Sequence, residues 1–214
     1  MQPERLPLAA EGYPFIGFAA LTTLTLAVLG MAVPALVALT LTAFVSWFFR
    51  DPVRHPPDVT NAVVSPADGK IILVEEIFDD RFLHEQVFKV SIFMNVFNVH
   101  VNRMPLAGTV QAVHLKPGRF YAADHNKAAL HNEYCAMTVT TDNGQRYCAV
   151  QVAGLIARRI VCRAEPGDTL DTGERYGLIR FGSRVDLYLP RSTRVDVRQG
   201  QIVSAGETII GQLP

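Results

Sequence analysis

The chain has 214 residues, which suffices for one domain with a buried core and an additional segment. Lys plus Arg and Asp plus Glu both total 20, so the formal net charge is zero. The chain therefore lacks the positive charge that would indicate nucleic acid as a partner. The three cysteines are an odd number, and neither they nor the six histidines show the spacing of a metal site. We therefore expect reduced, mostly buried thiols and no bound metal.

The N-terminal quarter of the chain is apolar. No charged residue occurs between Glu11 and Arg50. This stretch is too long for the hydrophobic part of a cleavable signal peptide, and it lacks the polar face of a soluble surface helix. We predict that residues 1–50 form hydrophobic helices that anchor the protein to a membrane.

Two topologies fit this segment. Gly30 and Pro34 bracket an expected break, and the limbs 15–30 and 35–49 are each shorter than the roughly 20 residues that span a bilayer. A hairpin that dips into one leaflet and a single kinked span are therefore both compatible with the sequence.

The end of the apolar stretch has the composition of a membrane interface. Trp47, Phe48 and Phe49 precede Arg50 and Arg54, which together form an aromatic and basic collar. Because basic residues favour the cytoplasmic side, we expect a protein of the cell membrane, peripheral or anchored, with its remaining residues on that side.

Residues 51–214 are predicted to form a second domain of β structure. The connector 51–58 is rich in proline, and no long amphipathic helix follows it. Short β-branched and aromatic runs, separated by turn residues, then recur: GKIILVEEIF, VFKVSIFM, GTVQAVHL, CAMTVTT, RYCAVQVAG and VDLYLP. The expected fold class is mainly β, an antiparallel barrel or sandwich-like domain, with an N-terminal hydrophobic helical membrane segment.

The dipeptide Gly182-Ser183 lies between two strand-like runs, where a plain turn or bulge would account for it. The functional alternative is attack of the Ser183 hydroxyl on the preceding carbonyl, with an N-to-O acyl shift to an ester. Elimination then gives dehydroalanine, which hydrolyses to a pyruvoyl group and ammonia. Gly182 suits this chemistry because glycine tolerates the strained backbone that the attack requires.

Three further segments carry polar side chains with two interpretations each. Asp68 in SPADG is either a turn residue bonded to its own backbone or a group that acts as a base or orients one. His100 lies in a strand-like run and is either structural or catalytic. Arg103 and Asn132-Glu133 are either surface residues or polar contacts of a site.

Taken in chain order, these segments resemble the phosphatidylserine decarboxylase family in its short bacterial form. The resemblance rests on FFRDPVR after the apolar stretch, SPADGKI, the His100 strand that ends in MP-x-x-G, Asn132-Glu133, and FGSRVDLYLP near the C-terminus. It covers nearly the whole chain, and the Gly-Ser pair is its most specific element.

The resemblance implies cleavage between Gly182 and Ser183. The products would be a large chain, 1–182, and a small chain, 183–214, which begins with a pyruvoyl group in place of Ser183. Asp68 matches the aspartate linked to self-cleavage, and His100 matches a histidine linked to decarboxylation.

The sequence departs from the family pattern in two motifs. Arg103 stands where the longer enzymes have the second histidine of H-x-x-H-M-P, and the common Leu-Gly-Ser-Thr is Phe-Gly-Ser-Arg here, at 181–184. His100 serving both steps and Asp68 acting through water are therefore both open.

The implied activity is removal of CO2 from phosphatidylserine in the membrane, which gives phosphatidylethanolamine for phospholipid biosynthesis. The substrate amine would form a Schiff base with the pyruvoyl group, whose carbonyl takes up the electrons without pyridoxal phosphate or a metal. Another serine lipid as substrate, and homo-oligomerisation, are compatible with the same residues.

Two other classes of protein remain open at this point. A membrane-tethered serine peptidase would use Ser183 with a lysine or histidine base and keep an intact chain, although G-x-S-x-G is absent. A non-enzymatic, lipoyl-like β domain tethered to a membrane would also stay intact and would not react with carbonyl reagents.

Overall fold

The structure is a computed structural model that describes residues 7–118, 132–154, 159–180 and 183–214. The chain divides between Val53 and Arg54 into two compact units. Each unit is described by itself.

The N-terminal unit is a helical hairpin. After a 3₁₀ turn at Ala10–Gly12 come helix α1 (Tyr13–Val28) and helix α2 (Ala32–Phe48). The chain enters and leaves the hairpin side by side, because Leu8 bridges to Arg50 and the Ala9 N–H donates to the Phe49 carbonyl at 2.8 Å. The two limbs predicted from the sequence are therefore helices of one hairpin.

The hairpin buries almost none of its apolar surface. No residue of α1 is buried, and in α2 only Phe48 is. Phe49 follows α2, is buried as well, and stacks on Phe15 with ring centroids 5.6 Å apart. Of the predicted collar, Trp47 is exposed and lies under the Arg50 guanidinium at 3.9 Å.

The second unit consists of antiparallel strands joined by turns. In chain order the strands are β1 (Ala62–Val64), β2 (Gly69–Phe78), β3 (Gln86–Met94), β4 (Val101–Arg103), β5 (Gly108–Lys116), β6 (Tyr134–Thr140), β7 (Arg146–Ala153), β8 (Ile160–Cys162), β9 (Thr169–Leu170), β10 (Arg175–Ile179), β11 (Ser183–Pro190), β12 (Arg194–Val195), β13 (Ile202–Val203) and β14 (Ile209–Gln212). The described strands form one large sheet in the order β13-β2-β3-β11-β7-β6-β5-β9, and two small sheets, β1-β14-β12 and β4-β10-β8. This confirms the mainly antiparallel β fold class with N-terminal apolar helices.

Strand β11 is central in the large sheet and is buried along its whole length. Its side chains alternate between the faces, so that Val185 and Leu187 enter the main core while Tyr188 belongs to a smaller cluster on the other face. Apolar residues thus cover both faces of the strand that begins with Ser183, which fixes its position in the sheet.

Candidate active site

Ser183 is the first residue of β11 and is fully buried. It pairs with Met94 of β3 on one side and with Ala153 of β7 on the other. Within the described part of the chain, its Oγ has no hydrogen-bond partner. A buried hydroxyl without a partner is destabilising, so a reactive role is a reasonable explanation for keeping it. Gly182, the other half of the predicted cleavage site, lies outside the described residues.

The predicted polar pair Asn132-Glu133 lies next to this serine. The Asn132 side-chain amide donates to the Ala153 carbonyl at 2.6 Å, and the Ala153 N–H donates to the Glu133 carbonyl at 2.9 Å. Because Ala153 is also the strand partner of Ser183, the pair is held one strand away from the serine. Asn132 is buried and acts as a structural contact of the site, not as a surface residue.

Asp68 lies at the same end of the sheet as Ser183. Lys70 pairs with Phe93, and Phe93 pairs with Arg184. Gly69, which precedes Lys70, and Ser183, which precedes Arg184, are therefore separated by two strand spacings, about 10 Å. Asp68 is the residue directly before Gly69.

The Asp68 carboxylate is held by two donors. Its Oδ1 accepts from the Ala205 N–H at 2.7 Å, and its Oδ2 accepts from Arg54 at 3.2 Å. Arg54 also pairs with Glu207 at 2.5 Å. Asp68 is thus an oriented carboxylate in a turn. Arg54, which the sequence analysis placed in the membrane collar, is instead an ion-pair partner within the β unit.

The turn at Asp68 requires glycine at position 69 for a steric reason. A Cβ at this position would lie 2.2 Å from the Phe93 carbonyl oxygen, which belongs to the backbone of the neighbouring strand. Only glycine permits the approach that sets Asp68 at the end of the sheet. Lys70, which follows, is exposed.

His100 is almost fully buried, with 2% of its surface exposed, and directly precedes β4. Its carbonyl accepts from the Ile179 N–H at 3.3 Å, four residues before Ser183. Its Nδ1 lies 2.9 Å from the Asn98 carbonyl, which can only accept, so Nδ1 carries the proton. Nε2 is then the nitrogen that can take up or release a proton.

The segment after His100 contacts the Asp68 turn directly. Arg103, which replaces the expected second histidine, is 3% exposed and donates from its side chain to the Gly173 carbonyl at 3.0 Å. Its backbone N–H donates to the Pro66 carbonyl at 2.9 Å. Of the two interpretations from the sequence, the surface one is wrong, because Arg103 is a buried structural contact between the two motif segments.

Arg184 points to the other face of the sheet from Ser183. Its guanidinium forms two hydrogen bonds with Asp186, one of them at 2.8 Å, and both side chains are buried. Burial lowers the pKa of Arg184, but the charge and hydrogen bonds of Asp186 outweigh it, so the net shift is upward. Arg184 also lines a cleft of about 270 Å³ with Lys89 and Tyr188, away from the serine hydroxyl.

The three cysteines are free, as predicted. The hydrogen bond with Cys162 and burial raise the pKa of the Cys135 thiol, and the same hydrogen bond lowers the pKa of Cys162. Burial raises the pKa of Cys148. In the described ranges, no group of three or more His, Cys, Asp and Glu side chains is arranged to hold a metal ion.

Comparisons with known proteins identify the family of this chain. The sequence profile described as phosphatidylserine decarboxylase matches residues 41–211. The chain is 54% identical over 213 residues to a protein of Desulfotalea psychrophila, across 100% of this chain and 99% of that protein. It is 48% identical over 213 residues to one of Syntrophotalea carbinolica and 49% identical over 219 residues to one of Geobacter metallireducens, each across 100% of both chains. All three carry the name phosphatidylserine decarboxylase proenzyme.

The mainly β unit thus holds a buried serine and an oriented aspartate at one end of its large sheet, and a buried histidine beside one of its small sheets. The chain belongs to the phosphatidylserine decarboxylase family. This is a family of carboxy-lyases, and the word proenzyme in the relatives' names denotes a precursor that is processed into the active form.

Proposed function

We propose that this protein converts phosphatidylserine into phosphatidylethanolamine and CO2, using a pyruvoyl group that it makes from Ser183. The chain is cut between Gly182 and Ser183 into a large chain, 1–182, and a small chain, 183–214. The domain 51–214 carries the activity, and residues 1–50 anchor it to the cell membrane. Family membership over the full chain and the buried, unpartnered hydroxyl of Ser183 support this proposal.

The cleavage uses only groups of the chain and one water molecule. The Ser183 Oγ attacks the Gly182 carbonyl carbon, and the peptide C–N bond breaks as the ester forms. Removal of the Cα proton of residue 183 then breaks its Cβ–Oγ bond and releases the Gly182 carboxylate. The dehydroalanine that remains tautomerises, and water replaces its nitrogen, which leaves as ammonia.

Asp68 and His100 are assigned to different steps. Asp68 assists the cleavage, because an oriented carboxylate at the serine's end of the sheet can take up the hydroxyl proton through water. His100 assists the decarboxylation by delivering a proton from Nε2 to the substrate α-carbon, while its Nδ1 stays bonded to the Asn98 carbonyl.

Position 183 fits a pyruvoyl group because its neighbours hold it on both sides. Met94 and Ala153 flank position 183, and the pairing of Arg184 to Tyr188 with both neighbouring strands persists when the Gly182–Ser183 bond is cut, although residue 183 gives up its backbone nitrogen. A pyruvoyl group supplies the electron-accepting carbonyl that decarboxylation of an amino acid needs.

The small chain stays attached through strand pairing. It contains β11 to β14, and β11 lies between β3 and β7 of the large chain. In addition, β13 pairs with β2, and β14 pairs with β1. Four separate ladders therefore join the two chains without a covalent bond.

The test is the intact mass of the purified protein together with its phosphatidylethanolamine production. We expect two chains, the smaller with 214 − 182 = 32 residues and a blocked N-terminus. Ser183→Ala should remain one inactive chain. The matched control is Ser91→Ala on β3, since the Ser91 hydroxyl is also buried and without a partner among the described residues. An uncut wild-type chain with full activity would refute the proposal.

The proposal places the β domain on the cytoplasmic side of the membrane. The supporting observation is Arg50, which lies over Trp47 at the base of the hairpin, where basic residues mark the cytoplasmic face. Protease treatment of right-side-out and inverted membrane vesicles tests this, since the β domain should be digested only in inverted vesicles.

A further inference from the structure

The serine and threonine hydroxyls of the two helices are all satisfied within the hairpin. Each of the six serine and threonine residues of α1 and α2 donates to the carbonyl four residues earlier, at 2.8 to 3.0 Å: Thr22, Thr23, Thr25, Thr40, Thr42 and Ser46. Thr23 and Thr42 also meet across the two helices at 3.0 Å. Since none of these groups needs water, the helices are suited to surroundings that offer no hydrogen bonds.

The turn at the tip of the hairpin is satisfied in the same way. The N–H groups of residues 29–32 donate to backbone carbonyls within the turn or in the last turn of α1, at 3.0 to 3.1 Å. Gly30, with a φ of 70°, makes the tight turn possible. The tip sequence Val28–Val33 contains no polar or charged side chain. A loop that emerged into water would be expected to carry polar residues.

The base of the hairpin has the opposite composition. Trp47 and Arg50 form a cation–π pair there, Tyr13 begins α1, and Glu11 precedes it. Backbone bonds between the entering and leaving strands hold both ends together, including Asp51 N–H to the Pro7 carbonyl at 2.8 Å. Aromatic and charged residues that anchor a helix at an interface thus occur at one end of the hairpin and not at the other.

The helix lengths decide how far the tip reaches. Counted with its 3₁₀ turn, the first limb, Ala10–Val28, is long and apolar enough to cross a membrane. The returning helix α2 has 17 residues, which is about 26 Å and less than the roughly 30 Å of a hydrocarbon core. With the base at one interface, α2 does not reach the other.

We propose that the hairpin is re-entrant: it enters and leaves the bilayer through the same face, and its tip at residues 29–31 ends inside the hydrocarbon. In this arrangement, lipid tails contact the exposed apolar side chains of both helices. This deepens the membrane anchoring proposed above and is independent of chain cleavage and decarboxylation.

Charge placement tests the position of the tip. In the full-length protein, Leu29→Lys puts a charge at the tip, and Val53→Lys puts the same charge at an exposed position beyond the base. Flotation with vesicles of phosphatidylcholine and a minor fraction of phosphatidylglycerol measures binding. We expect Leu29→Lys to weaken binding by about 10²-fold, because a lysine in the bilayer interior is costly. Val53→Lys should bind like the wild type.

A depth measurement distinguishes the remaining arrangements. Trp47 is the only tryptophan, so Trp47→Phe combined with Leu29→Trp moves the single fluorophore to the tip. Lipids brominated deep in their chains should quench the tryptophan at the tip best, and lipids brominated near the headgroup should quench Trp47 best. Shallow quenching of both, with Leu29→Lys tolerated, would mean that the tip crosses to the far interface and would overturn the proposal.

A second copy of the chain is the other way to cover the apolar surface. In that case the tryptophan at the tip would escape quenching by any brominated lipid, and crosslinked dimers would form through the hairpin, which also overturns the proposal. Cleavage into two chains serves as the folding control for every variant. Loss of binding in a variant that still cleaves concerns the hairpin alone and leaves the proposed enzymatic function untouched.

Discussion

The hairpin and the β unit treat their polar groups in opposite ways. The hairpin exposes its apolar side chains, yet it satisfies every serine and threonine hydroxyl internally. The β unit buries its apolar side chains in a core, yet several buried hydroxyls have no partner in the described residues, among them Ser183 and Ser91. Satisfied hydroxyls thus occur in the region with exposed apolar side chains, and unpartnered hydroxyls occur in the region with a buried core.

This difference shows what hydrogen-bond satisfaction can and cannot indicate. In the hairpin, satisfaction costs nothing in water but is required in hydrocarbon, so it indicates lipid. In the β unit, an unpartnered buried hydroxyl costs about 1–3 kcal/mol and calls for an explanation. Ser91 and Ser183 share that cost, and what separates them is position: Ser183 begins its strand, directly after the proposed cleavage bond.

Removal of the hairpin should have the largest effect and separates the two regions. A chain that begins at Asp51 should leave the membrane fraction completely, because it lacks the exposed apolar helices. It should still be cut into two chains, since the β unit is compact by itself. Membrane fractionation and a denaturing gel measure both. A shortened chain that stays in the membrane would transfer the anchoring role to the β unit.

Substitution of His100 should affect turnover and not processing. We expect His100→Ala to lower phosphatidylethanolamine production by about 10²–10⁴-fold, which is the usual contribution of general acid–base catalysis. His114→Ala on β5 is the control, because His114 is exposed. If His100→Ala accumulates as uncut precursor, His100 serves the cleavage as well. Full activity in a cleaved His100→Ala protein would make His100 structural.

Neutralising Asp68 should slow the cleavage itself. Asp68→Asn keeps an oxygen that can accept from Ala205 but loses the charge that pairs with Arg54. A charge-assisted hydrogen bond contributes about 1.5–3 kcal/mol, so we expect cleavage to slow by about ten- to a hundredfold. Arg54→Gln should have a smaller effect, because the Ala205 bond remains.

Asp79→Asn is the matched control for the Asp68 variant. Asp79 is also buried and accepts backbone N–H bonds, from Arg81, Phe82 and Leu83, in the turn between β2 and β3. The Asp79→Asn substitution should lower thermal stability and leave the cleavage rate of the folded protein unchanged. Equal slowing in both variants would mean that Asp68 acts only on folding.

The smallest effect concerns the thiols. Because the pKa of Cys162 is lowered and the pKa values of Cys135 and Cys148 are raised, Cys162 forms its thiolate at the lowest pH of the three. Iodoacetamide should therefore label Cys162 first as the pH rises. Peptide mapping of the labelled protein measures this, and earlier labelling of Cys148 would contradict it.

The sequence predicts the strands well because their patterns are local. The run GKIILVEEIF coincides with β2, and VDLYLP lies within β11. The short strands of the two small sheets carry no comparable pattern, since two to five residues contain too few alternations to be recognised. They are nevertheless what brings His100 and Ile179 together.

The site was predictable as a set of motifs but not as a geometry. Asp68, His100 and Ser183 follow from a family resemblance, whereas their spacing depends on strand register, which no local pattern specifies. Arg54 shows the limit most clearly. Its position after the apolar stretch indicates a collar residue, but its partners, Asp68 and Glu207, lie 14 and 153 positions away.

The four ladders between the proposed chains have a consequence for refolding. Before the cut, β11 is connected to β10 through the chain, so its insertion between β3 and β7 is an intramolecular event. After the cut, a denatured sample contains two separate polypeptides, and the shorter one must find its place by bimolecular association. Recovery of the native state then depends on concentration, and the lifetime of the mature protein is governed by its unfolding rate.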